Sequence, residues 1–195
     1  VRTESGTGQP ERLRPAVIVA IALPVLLAVA VAAISITLRI RGVTGDTTPP
    51  PAETGPLAVA PVNAPGAGTP ECAALLAALP STLPGDGGTL PSRPQAAPAQ
   101  PGVLAWAASP RPVVLRCGMP RPAELNPTSA LLEVNGVRWL QLTDAAPDSA
   151  LTSYVAVDRP VYVVLTAPNA AGSGPLQVVS DTIRTTLPAA PVAVR

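Results

Sequence analysis

A chain of 195 residues has room for one ordinary domain plus appendages. Its mean hydropathy of +0.36 and 13% charged residues are too apolar for a typical soluble protein, while 27 prolines and 15 glycines interrupt it too often for a compact helical one. A net charge of +1, with no histidine and no lysine, excludes general nucleic-acid binding, imidazole metal sites and lysine-based catalysis.

The first element is Ala16–Leu38, AVIVAIALPVLLAVAVAAISITL, 23 residues without a charge. At about 1.5 Å per residue such a helix reaches roughly 34 Å, enough to cross a hydrocarbon core. A signal-peptide core is shorter, and a soluble core helix is rarely apolar on every face for this length. Arg12 and Arg14 precede the run and Arg39 and Arg41 follow it, a weak charge bias that favours a cytoplasmic N-terminus.

Residues 42–69 hold six prolines, two acids and no aromatic residue. They lack the apolar area to offset ordering entropy, so the expectation is a disordered, partly polyproline tether of roughly 30 Å mean span.

Thr69-Pro70-Glu71 ahead of CAALLAAL carries the signals of a helix start: a capping hydroxyl, proline at the first position and an acid in the first turn. Leu75, Leu76 and Leu79 form its apolar stripe, and Pro80 stops it. A proline-rich excursion follows, broken by VLAWA at residues 103–107. The run VVLRC leads to Cys117.

The sharpest local signal is LLEVNGVRWLQL, residues 131–142. Asn135-Gly136 between apolar runs predicts a type I′ hairpin that pairs Val134 with Val137, Glu133 with Arg138 and Leu132 with Trp139. Two strands are expected at Ser153–Val157 and Val161–Thr166, the second apolar on both faces and therefore central. Ser173-Gly174-Pro175 opens a last helix with Leu176, Val179, Ile183 and Leu187 on one side. The expected fold is α+β: a single N-terminal transmembrane helix, then a small, mostly antiparallel sheet with two packed helices.

Cys72 and Cys117 admit three roles. A nucleophilic thiolate needs a neighbouring base, and no histidine exists; two cysteines without histidine do not make a zinc site. The remaining reading is a disulfide, which requires an oxidising compartment. Closing a loop of about 45 residues, it would contribute roughly 4 kcal/mol in the chain-entropy account.

CAALLAALP (residues 72–80), AWAASPRPVVLRCGMPRP (residues 105–122), NGVRWL and RPVYV resemble an actinobacterial family of envelope proteins catalogued as domain of unknown function 3515. An arginine-only set of 13 basic residues fits the GC-rich coding of such a source. The resemblance covers roughly residues 70–187 and implies no activity.

Two further groups are candidates for chemistry. Asp144 and Asp148 in TDAAPDSA would serve carbohydrate hydrolysis or Ca²⁺ binding if paired, although acids in such a turn are ordinarily solvated. Arg111, Arg116 and Arg121 surround Cys117 and would grip a phosphate or carboxylate if they shared a surface. Residues 70–195 carry eight arginines and eight acids, so solvated, scattered charge is the plainer reading. The exposed side of Trp106 is a third candidate contact, set against an ordinary core tryptophan.

The expected organisation is a cytoplasmic N-terminus (1–15), transmembrane helix (16–38), tether (39–69), extracytoplasmic domain (70–187) and C-terminal tail (188–195). The expected function is a single-pass cell-membrane protein whose outer domain binds an envelope protein or cell-wall polymer without catalysis, cofactor, metal or nucleic acid. The alternatives are a carboxylate-dependent enzyme on an envelope carbohydrate and a secreted domain released by cleavage.

Overall fold

The computed structural model describes residues 24–34, 36, 51–143 and 150–194. It divides into two units, Val1–Thr48 and Pro49–Arg195. In the first, residues 24–34 form helix α1, with Val25, Leu26, Leu27 and Val29 exposed. The rest of the expected span lies outside the described residues apart from Ile36. Among the described residues, no helix is long and apolar enough to cross a membrane.

The second unit runs through helix α2 (Pro70–Ala78), strands β1 (Thr82–Gly85), β2 (Gly88–Pro91), β3 (Val103–Trp106), β4 (Val113–Met119), β5 (Leu131–Val134), β6 (Val137–Thr143), β7 (Leu151–Ala156) and β8 (Tyr162–Pro168), and helix α3 (Gly174–Thr186). Strands β3 to β8 form one antiparallel sheet in the order β3-β4-β8-β7-β6-β5, and β1 and β2 pair as a separate hairpin. The α+β expectation with a small antiparallel sheet holds.

Local chemistry sets each element. The Thr69 hydroxyl accepts from the Cys72 N–H at 3.4 Å and caps α2, with Pro70 in the first turn where no intrahelical donor is needed. The β5–β6 turn holds Asn135 at φ 50° and Gly136 at φ 77°, and the register pairs Glu133 with Arg138 and Leu132 with Trp139 as the dipeptide predicts. Helix α3 buries Leu176, Val179 and Ile183, and Leu187 just beyond its end is buried as well. That stripe, with Cys72, Leu75 and Leu79, covers Val113, Leu115, Val137, Trp139, Val163 and Leu165 on one face of the sheet.

The opposite face carries a smaller core of Leu125, Leu140, Val155 and Val157, against which Val164 and Val192 pack. Strand β8, flanked by β4 and β7, therefore meets apolar side chains on both faces, as its unbroken VYVVL predicts. The tail contributes to this side, with the Ala190 N–H donating to the Asp158 carbonyl at 2.8 Å.

Two expectations are corrected. Residues 51–69 are not a free tether: they run as a strap along the domain. The Leu57 N–H donates to the Pro94 carbonyl at 2.8 Å, the Ala96 N–H donates to the Leu57 carbonyl at 2.9 Å, and the Gly66 N–H donates to the Gly118 carbonyl at 2.9 Å. A proline-rich segment needs little apolar burial when its remaining backbone groups find fixed partners on a folded surface. The excursion after Pro80 likewise contains the β1–β2 hairpin, whose register faces Gly85 with Gly88 across Asp86-Gly87.

Candidate anion-binding cleft

Cys72 in the first turn of α2 and Cys117 on β4 are joined, with Cα atoms 5.6 Å apart, and both are completely buried. Cys117 faces the helix layer by the alternation of β4, whose burial pattern puts Val113, Leu115 and Cys117 inside. Neither sulfur is available as a nucleophile or ligand.

Immediately after Cys117 the pairing of β4 with β8 shifts by one residue, and Gly118 sits in the bulge at φ 80°. A Cβ there would lie 2.1 Å from the Gly66 carbonyl carbon. The strap thus passes backbone to backbone over the residue that follows the brace. Leu-Arg-Cys-Gly is accordingly two devices in one motif: a covalent tie and a gap for the strap.

The three arginines around Cys117 do not converge. Arg111 precedes β4 and Arg121 follows it, and seven strand residues put its ends roughly 20 Å apart. Arg121 fastens the tail, Nε donating to the Ala193 carbonyl at 2.8 Å and Nη2 to the Leu125 carbonyl. Arg116 projects from β4 on the face away from the disulfide, and its Nη2 donates to Ala60 of the strap at 3.4 Å. Its Nη1 is buried with no hydrogen-bond partner among the described residues, beside a cavity of about 60 Å³ that the residue helps to line. Burial lowers the pKa of this guanidinium from its ordinary value, because desolvation disfavours the charged form.

Arg111 instead shares a cleft of about 330 Å³ with Arg93, between Pro51, Glu53 and Leu57 of the strap and Ala108 of the β3–β4 loop. The Arg93 side chain is 7% exposed. Its Nε donates to the Gly55 carbonyl at 2.6 Å and its Nη2 to Glu53 Oε2 at 3.0 Å, while its backbone N–H donates to the Ala105 carbonyl at 2.7 Å. Glu53 is 82% exposed. Sequence reasoning missed Arg93. The available signal was its isolation: Glu53 is the one charge in residues 47–70, and Arg93 shares residues 72–110 only with Asp86. Lone charges in apolar, proline-rich stretches are candidates for pairing.

The remaining candidates fare differently. Trp106 is core: it is 1% exposed and its indole N–H donates to the Pro80 carbonyl at 3.1 Å. Asp144 and Asp148 lie outside the described residues. A groove of about 300 Å³ lined by Leu132, Val134, Tyr154 and Leu176 opens beside the start of α3, and it is predominantly apolar. Among the described residues no group of three acids or cysteines is placed to hold a metal ion.

A family model described as "Protein of unknown function (DUF3515)" matches residues 19–192. No curated protein and no solved structure matches the chain.

Proposed function

The chain belongs to this family of proteins of unknown function, and from that premise we propose that it is a membrane-anchored envelope component. Its N-terminus is cytoplasmic, Ala16–Leu38 crosses the membrane, and the α+β domain stands outside and works by binding another envelope protein or a cell-wall polymer. An actinobacterial source belongs to the same reading and rests on the arginine-only basic residues.

The observation that carries it is the buried Cys72–Cys117 bond, formed by the only two cysteines of the chain. Such a bond persists where thiols oxidise, and an uncharged 23-residue run ahead of the domain is the means of delivery there. The helical, outward-facing apolar residues at positions 24–34 support that use of the run. Binding is favoured over catalysis because histidine and lysine are absent and both thiols are consumed.

The strap changes the reach expected of the linker. Residues 51–69, laid against the domain, do not count toward that reach.

Cysteine counting and protease accessibility in intact cells test this reading together. The expectation is no titratable thiol in the unreduced protein and digestion of the domain from outside. Two free thiols, or a domain protected until the cells are lysed, would overturn it.

A further inference from the structure

We propose that the cleft between Arg93 and Arg111 binds a carboxylate carried on a compact apolar group, and that Glu53 fills this site from within the chain until an external carboxylate replaces it. A guanidinium removed from water requires hydrogen-bond partners and an opposing charge. Arg93 finds both on the strap, at Gly55 and Glu53. The two contacts are not equivalent. The Gly55 carbonyl fixes the guanidinium plane through Nε, whereas Nη2 holds a side chain that is 82% exposed. An acid so open to water is held weakly and exchanges readily.

The surroundings define the replacement. The cleft measures about 330 Å³, far more than one carboxylate needs, and Pro51, Leu57, Ala108 and Pro112 give it apolar walls. Arg111 lines the same space and is exposed, so a ligand carboxylate would meet a second cation that Glu53 alone does not require. With Glu53 in place the three charged lining residues sum to one positive charge (two arginines, one acid); with Glu53 displaced they present two. The planar fork of arginine matches a carboxylate, and a carboxylate is what the folded chain already places there. Displacing Glu53 would undo the outermost side-chain contact of the strap while the Arg93 Nε bond to the Gly55 carbonyl stays in place.

The test is titration calorimetry of the full-length chain in detergent with N-acetylalanine. N-acetylalanine amide serves as the neutral probe and inorganic phosphate as the competing anion. Glu53→Gln is expected to raise affinity for N-acetylalanine at least fivefold over the unaltered chain. Adding Arg111→Gln, at an exposed position outside the Arg93–Glu53 and Arg93–Gly55 hydrogen bonds, is expected to lower it at least threefold with an unchanged melting temperature. Equal affinity in the Glu53→Gln and unaltered chains overturns the proposal. So does binding of the amide or of phosphate as tight as that of N-acetylalanine, or an Arg111→Gln change without effect. The measurement is made away from any membrane, so its failure leaves the topology reading standing and the reverse also holds.

Discussion

Two glycines with nearly the same φ sit toward opposite ends of the sheet, and their surroundings differ. Gly136, at φ 77°, turns the β5–β6 hairpin, and a Cβ added there would meet only the Arg184 Cδ at 3.4 Å. Gly118, at φ 80°, forms the bulge of β4, and a Cβ there would fall within the backbone of Gly66. At the hairpin, glycine answers a local demand of the turn. At the bulge it answers that demand and also the close passage of a segment some fifty residues earlier in the chain.

The two ends are also fastened differently. The β3–β4 end is tied covalently through Cys72–Cys117 and overlaid by the strap. The β5–β6 end relies on the Trp139 indole donating to the Ser180 hydroxyl at 3.0 Å, on Asn135 Nδ2 donating to the Gln177 carbonyl at 3.3 Å, and on Arg159 Nη2 donating to the Gly136 carbonyl at 2.7 Å. One end is held by a bond and a close backbone contact, the other by turn chemistry and side-chain donors.

Breaking the covalent tie gives the largest expected effect. Replacing Cys72 and Cys117 together by alanine is expected to lower the unfolding free energy by about 4 kcal/mol, read from urea denaturation without reductant. Gly118→Ala comes next. The backbone conformation alone costs about 2 kcal/mol, and the displaced strap should become cleavable between residues 51 and 65 in limited proteolysis while the rest of the domain stays resistant. Gly136→Ala sharpens the contrast, with an expected loss of about 1 kcal/mol by thermal denaturation and no new cleavage in the strap. If the two glycine variants gave the same proteolytic pattern, the distinction drawn between the ends would be wrong. The smallest effect belongs to Glu133→Gln. Its carboxylate lies 3.9 Å from Arg138 with both side chains more than half exposed, so the expected change is below about 0.5 kcal/mol and vanishes at high salt.

The same division governs what the sequence revealed. The hairpin register, the cap of α2, the stripe of α3 and the central place of β8 were legible because each depends on residues a few positions apart. The disulfide was legible by elimination, since no histidine or third cysteine offered another use for the thiols. The strap was not. Its composition matches a free linker, and what holds it are backbone groups on residues 94–96 and Gly118 together with the Arg93 and Arg116 side chains, none of which a local pattern advertises. Strands β1 and β2 were obscured by Pro84 and Pro91, although Asp86-Gly87 between TLPG and GTLP is a hairpin turn signal in its own right.

Charge placement was the least legible layer. Arg111, Arg116 and Arg121 are neighbours along the chain, and a seven-residue strand separates the outer two; Arg111 joins Arg93 because the strap and the β3–β4 loop close around both. Asp158 and Arg159 fall between the strands expected at Ser153–Val157 and Val161–Thr166, where no local pattern marks them as buried. They are a nearly buried ion pair at 3.3 Å, and Arg159 donates to the Gly136 carbonyl at the adjoining β5–β6 turn. Adjacent opposite charges give no sign in sequence of whether water or protein surrounds them.

The order of fastenings along the chain has a mechanical consequence. Tension entering from the N-terminal side first loads the Glu53–Arg93 latch, then the strap's backbone pairs, then the opening turn of α2. Peeling in that direction halts at Cys72, where the pull is handed through sulfur to β4, next to the strand at the heart of the sheet. The strap's non-covalent fastenings thus all lie ahead of the covalent one in the chain.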